Sequence, residues 1–318
     1  MTRRGFLWLG SVALALGTAG GAVYAAYSAE LARATTRLGG RSTVFQGPFG
    51  QMEYAAAGNG PPLLMVHGTG GGFDQGLSFA APLVKAGWRV IAPSRFGYLR
   101  TDFPADPSLD NQADALAALL DELKIERLPV MGGSAGALSA LQFAIRHPAR
   151  CSKVIAIVPA TFVPERAPVR PGTLGAAIME FGLQSDFLFW AGMKLAEDQM
   201  IATLLATDPA IVHSASPEEH ARVRGILREI LPVSARAKGL LNDGLQAGTP
   251  PEQEIETIKV PTLAISVEDD RFGTGGAARH IAATVPGAEL VIYPSGGHVW
   301  VGHNEEMWNE IDSFLRRH

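Results

Sequence analysis

A serine, a histidine and a short acidic run in this 318-residue chain have the types and order that acyl chemistry requires. Ser134 lies in Gly132-Gly133-Ser134-Ala135-Gly136, directly between an apolar run at 128–131 and a helical pattern at 135–146. A serine on so sharp a strand-to-helix turn is lifted out of the sheet. It also sits at a helix N-terminus, where free N–H groups and the dipole favour negative charge. Its hydroxyl is a weak nucleophile at neutral pH unless a base lies beside it. His298, which follows Gly296-Gly297, is the expected base, and His303 is its only plausible rival. A carboxylate must then hold the imidazole in one tautomer and stabilise the imidazolium. The candidates are Asp269 and Asp270, in Glu268-Asp269-Asp270-Arg271 after the apolar run 262–267.

Attack on a carbonyl also needs donors for the oxygen that becomes negative, and two backbone N–H groups can supply them. Ala135, after the serine, provides one. His67-Gly68-Thr69-Gly70-Gly71-Gly72 follows the apolar run 63–66 and provides the other, with Thr69 expected and Gly70 as alternative. A phosphate-binding reading of this loop fails, since no Gly-Lys-Ser/Thr ending and no G-x-G-x-x-G pattern follows. His67 is expected to support the loop. His147 reads as a C-terminal helix cap, and His213, His220 and His280 lack acidic or cysteine partners at ligand spacing, so neither a metal nor a cofactor is expected. Cys151, the single cysteine, opens an apolar run and reads as core.

These groups need a rigid frame. Short apolar runs at 44–49, 51–57, 63–66, 90–92, 128–131, 154–158, 262–267 and 289–293 read as strands, the first two as an antiparallel pair. Helical patterns at 111–123 (with Asn111 in the cap region), 135–146 and 305–315 alternate with them. That alternation predicts an α/β fold, a mainly parallel twisted sheet with helices on both faces. Residues 161–255 break the rhythm. They show no strand and read as an inserted helical cap, with helices expected at 174–183, 187–205 and 220–231, between core segments 43–160 and 256–318.

With HGxGGG, GxSxG, a strand ending in acidic residues, and GGH in this order, the chain resembles the α/β-hydrolase superfamily from about Phe45 onward. The resemblance implies Asp270 rather than Asp269 as the acid, and a cap that roofs the pocket. Relatives that cleave epoxides or haloalkanes carry Asp at the nucleophile position, so Ser134 implies an acyl substrate, most simply a carboxylic ester. Carbon–carbon bond hydrolases, proline-releasing aminopeptidases and cofactor-free haloperoxidases of the same fold are not separated by these motifs. A binding or sensing protein that retains the triad with little turnover also stays open. The cap contains Phe162, Met179, Phe181, Phe187, Phe189, Trp190 and Met193; Phe187, Trp190 and the loop residue Gly70 are the expected pocket contacts.

The N-terminus reads as an address. Arg3-Arg4 precede an uncharged stretch, 5–29, which resembles a twin-arginine export signal and is long enough to serve as an uncleaved anchor. Residues 1–29 are therefore expected to be a signal or membrane anchor that leads the protein to the extracytoplasmic side. Residues 30–42 are expected to form a linker, and a chain lacking 1–41 to be soluble and active. Residues 1–41 carry five arginines against one glutamate, whereas the body has a net charge of −8, which disfavours nucleic acid as a partner. The expected partner is a small-molecule acyl substrate.

Overall fold

A computed structural model describes residues 3–164 and 182–317, with the backbone alone for 3–19. The expected helix at 174–183, and Met179 and Phe181 with it, lies wholly or in large part outside the described residues.

All eight expected strands form one sheet: β1 (Thr43–Gly47), β2 (Gly50–Ala57), β3 (Pro62–Val66), β4 (Arg89–Pro93), β5 (Leu128–Gly133), β6 (Cys151–Ile157), β7 (Thr262–Val267) and β8 (Glu289–Tyr293). Their order is β1-β2-β4-β3-β5-β6-β7-β8. The β1–β2 and β2–β4 pairs are antiparallel, and every pair from β4–β3 to β7–β8 is parallel. β3, β5, β6 and β7 are buried almost throughout, which explains their continuous apolar runs. One face packs on helices Leu109–Glu122 and Gly136–Arg146 through Leu116, Leu119, Leu120, Leu141 and Phe143. The other packs on helix Asn304–Arg316 through Met307, Trp308, Ile311, Phe314 and Leu315. The order in which strands are added reverses between β3 and β5, since β4 follows β3 to one side and β5 lies on the other. Loops leaving the C-terminal ends of such a pair diverge and open a crevice.

Three local expectations change. Ser108, not Asn111, caps the helix Leu109–Glu122, because its hydroxyl accepts from the Asn111 N–H. The segment expected as one helix at 187–205 is two, Asp186–Leu195 and Glu197–Leu204, broken at Ala196. The third concerns residues 30–42, which are not a linker. A single helix, Arg3–Leu38, runs through most of them and docks on the body. Tyr27 meets Phe187 and Trp190 edge-on, Glu30 accepts from Trp190 Nε1 at 2.8 Å, and Ala34 is buried in the cap cluster. Arg37 donates to the carbonyls of Glu229 and Leu231 at 2.9 and 2.8 Å and pairs with Asp74. Among the described residues, no helix is long and apolar enough to cross a membrane.

Deleting residues 1–41 removes all of these contacts. The truncated chain is therefore expected to melt lower than the full-length chain, at about 2–4 °C per kcal/mol lost. Thermal unfolding of the two, side by side, checks this.

Cys151 is buried, and its thiol is pushed up to about 12, first by burial. A reactive thiolate does not form there at neutral pH.

Candidate active site

β5 delivers Ser134 at the crevice. Its φ is +52°, a left-handed angle uncommon for a side chain of any size, held by its N–H on Ile157 O at 2.8 Å. The turn closes only because Gly136 has no side chain, since a Cβ there would overlap the carbonyl oxygens of Val66 and His67. Ser134 is half-buried, and its Oγ lies 3.0 Å from His298 Nε2.

His298 comes from the loop after β8, and its Nδ1 is 2.8 Å from Asp270 Oδ2. Asp270 also accepts from the Phe272 N–H at 2.8 Å and from the Thr274 hydroxyl. Burial pulls the Asp270 carboxyl upward, but the charge and hydrogen bond of His298, with Thr274 and the Phe272 N–H, outweigh it and hold it below the usual carboxylate range. The carboxylate stays ionised at neutral pH, and what it contributes to stability is lost only as pH falls through its lowered pKa. Asp269 plays another part, accepting from the N–H groups of Gly296 and Gly297 and so fixing the loop that carries His298. His303, the rival base, bonds to Glu306 at 2.9 Å and stacks on Tyr293.

The loop after β3 lies against the serine, because a Cβ at Gly68 would stand 3.2 Å from Ser134 Cβ. Its donors are largely committed. Gly68 N–H goes to Gln75 Oε1, Gly70 N–H to Tyr98 Oη at 3.2 Å, and Gly71 N–H to Gly68 O. Among the described residues, the N–H groups of Thr69 and Ala135 have no acceptor, and these are the two expected donors. His67 is wholly buried, and its Nε2 accepts from the Arg95 N–H at 3.0 Å, so the proton is on Nδ1, facing Gly68 O at 2.7 Å. Burial first, and the Arg95 charge second, hold its pKa well below the ordinary value. It is a neutral strut.

Sequence reasoning missed the groups that hold this loop. Arg95 donates its Nε to His67 O and makes two bonds, 2.7 and 2.5 Å, to Asp243 of the cap helix Ala237–Gly248. Tyr98, kept protonated by burial and then by the Asp243 charge, donates to Asp243 at 2.6 Å while accepting from Gly70. Arg236, fully buried in the cap, bonds to Gly71 O and pairs with Asp74 at 2.8 Å. The cap thus grips the oxyanion loop at Gly70 and at Gly71. Nothing in the local pattern around residues 236 and 243 signals this.

Asp243→Ala would leave Arg95 buried without its counter-charge, so a loss of about 3–5 kcal/mol is expected; denaturant unfolding measures it. Tyr98→Phe removes a single oxygen and frees the Gly70 N–H, and a fall in kcat with KM unchanged is expected, read by steady-state kinetics.

Two expected pocket contacts lie elsewhere. Phe187 and Trp190 turn their rings to Tyr27 of the N-terminal helix, because that helix, not substrate, covers this part of the cap. Gly70 remains at the site, facing Ile230 of the cap. Phe272, not anticipated, stands edge-on to His298 at 4.9 Å.

A family model described as alpha/beta hydrolase fold matches residues 61–301. The chain is 36% identical over 277 residues to a 2-hydroxy-6-oxo-6-phenylhexa-2,4-dienoate hydrolase of Comamonas testosteroni, covering 83% of this chain and 88% of that one. It is 28% identical over 279 residues to the enzyme of that name from Burkholderia cepacia, covering 82% and 87%. Among solved structures, it resembles a bacterial membrane phospholipase A at 24% identity, with a TM-score of 0.66 over 97% of both chains. That likeness concerns the fold alone, and its extent takes in the N-terminal helix.

Proposed function

Because this chain belongs to the alpha/beta hydrolase family, we propose that it hydrolyses an acyl compound through an acyl-enzyme on Ser134. One observation carries the reading: His298 stands between Ser134 Oγ and Asp270, with one ring nitrogen on each, at 3.0 and 2.8 Å. In this mechanism His298 Nε2 takes the serine proton as Oγ attacks the carbonyl carbon, and Asp270 steadies the imidazolium. The oxygen that gains charge is received by the Thr69 and Ala135 N–H groups. Collapse of the adduct expels the leaving group, which takes the proton from His298. A water, deprotonated by the same imidazole, then releases the acid. No step in this mechanism calls on a metal, so dialysis against chelator should leave the rate unchanged.

For the substrate, the relatives favour carbon–carbon hydrolysis over the carboxylic ester that the motifs suggest. The compounds in their names carry a ketone at C6 and no ester, so hydrolysis there breaks the bond between the ketone carbon and C5. The acyl part leaves as a carboxylic acid, and the dienol fragment takes the proton. Purified enzyme offered 2-hydroxy-6-oxo-6-phenylhexa-2,4-dienoate and a nitrophenyl ester is expected to show a kcat/KM at least about tenfold higher on the dienoate. The reverse order would make the protein a carboxylesterase. No turnover of either, despite labelling by a fluorophosphonate, would point to a binding protein that retains the triad.

We also propose export, from Arg3-Arg4 and the uncharged stretch 5–29. Cell fractionation distinguishes a shortened soluble product from a full-length protein in the membrane pellet, and full-length protein free in the cytoplasm would refute export.

A further inference from the structure

Between the N-terminal helix and the cap lies a cavity of about 470 Å³, lined by Glu30, Arg33, Arg37, Lys194 and Arg228, with Ala34 and Leu231. Four cations face one carboxylate there. That carboxylate is already engaged, since Glu30 accepts from Lys194 Nζ and from Trp190 Nε1, both at 2.8 Å. Lys194 and Trp190, held together by those bonds to Glu30, fix one wall. Arg37 fixes another through the carbonyls of Glu229 and Leu231, with Asp74 as its counter-charge. Neither Arg33 nor Arg228 makes an ion pair among the described residues. In a body of net charge −8, most arginines are not left in this state: Arg95, Arg100, Arg146, Arg222, Arg224 and Arg236 all meet carboxylates. Cations gathered around a cavity repel one another unless an anion enters, and arginine is the side chain best matched to a phosphate oxygen pair.

The surroundings narrow the ligand. The same two elements expose apolar side chains elsewhere along their lengths: Tyr24 is 67% exposed, Leu195 87%, and Phe187 and Leu188 about two-fifths. A free inorganic anion gains nothing from such neighbours, whereas an anion attached to acyl chains does. The spacing agrees. Arg33 follows Tyr24 by nine residues, about 14 Å along a helix axis. The polar layer of a bilayer is roughly 5–8 Å deep on each side, and the reach of an arginine covers the remainder.

We propose that this cavity binds the phosphate of an anionic lipid headgroup, with Arg33 and Arg228 as its principal ligands and Lys194 and Arg37 beside them. The site is separate from Ser134 and owes nothing to the reaction assigned there. An occupied cavity would tie the N-terminal helix to the cap and fix the body against a membrane surface.

The test uses the full-length chain in a non-ionic detergent. Intrinsic fluorescence, which includes Trp190 bonded to the lining residue Glu30, is followed during titration with dihexanoyl-phosphatidylglycerol, dihexanoyl-phosphatidylcholine and inorganic phosphate. Saturable binding is expected with phosphatidylglycerol, at least tenfold tighter than with the other two. The double substitution Arg33→Gln/Arg228→Gln, on exposed positions, should weaken it at least tenfold while leaving lipid-free hydrolysis unchanged. Equal binding of inorganic phosphate would reassign the cavity to a free anion and overturn the lipid ligand. Equal binding of phosphatidylcholine, no saturation, or an undiminished affinity in the double variant would each remove the proposal.

Discussion

Ser134→Ala is expected to lower kcat by roughly 10⁴–10⁶, with the fold intact and substrate still bound. The magnitude follows from what the substitution takes away. No other described hydroxyl is set on the His298 imidazole at 3.0 Å, so the acyl intermediate has nowhere to form. What remains is water attacking a carbonyl polarised by the Thr69 and Ala135 N–H groups, a residual worth about 10³–10⁴ over uncatalysed hydrolysis in triad enzymes. Alanine keeps the same Cβ at the φ of +52° and adds no steric demand, so unfolding does not confound the result. His298→Ala should cost about as much, because the two act as a unit, and the double variant should be little worse than either single one. Steady-state kinetics on the preferred substrate measures all three. Near wild-type turnover by Ser134→Ala would end the nucleophile assignment.

The second large effect separates the two adjacent carboxylates. Asp270→Asn should reduce kcat by about 10⁴, by analogy with the triad case in which an amide imposes the wrong tautomer. The geometry makes the same demand here. Asp270 Oδ2 faces His298 Nδ1 at 2.8 Å and must accept from it, if Nε2 is to be free to take the serine proton. An amide nitrogen at that position would donate instead, placing the histidine proton on Nε2. Asp269→Asn keeps its one acceptor oxygen for the Gly297 N–H, at 2.8 Å, and gives up only the longer 3.3 Å bond from Gly296, so a small loss is expected. Comparing the pH–rate profiles of the two variants sharpens the distinction, since only Asp270→Asn should remove the imidazolium's partner. A larger loss for Asp269→Asn would reverse the assignment.

How much of this was legible beforehand follows from how local each signal is. A buried parallel strand must be apolar along its whole length, so β3, β5, β6 and β7 could be read from short runs without knowledge of their neighbours. The turn at Ser134 requires small residues at fixed offsets, and the order of serine, acid and histidine follows the order of strand ends. Those features live within a few residues of one another, and they specified the sheet and the candidate triad. The choice of Asp270 over Asp269 came from likeness to a family; only the tertiary structure shows which carboxylate reaches the imidazole. The N-terminal helix was misread from residue 30 onward. Arg33, Arg37 and Arg41 look the same in a polar linker as on a docked helix, until Asp74 and the carbonyls of Glu229 and Leu231 are brought to Arg37. Phe187 and Trp190 were misplaced for the same reason, since an aromatic side chain carries no record of which surface will cover it. The grip of the cap on the oxyanion loop was wholly invisible. Arg95 and Asp243 lie 148 residues apart, and a buried ion pair has no periodicity to betray it; it exists only where folding removes both charges from water together.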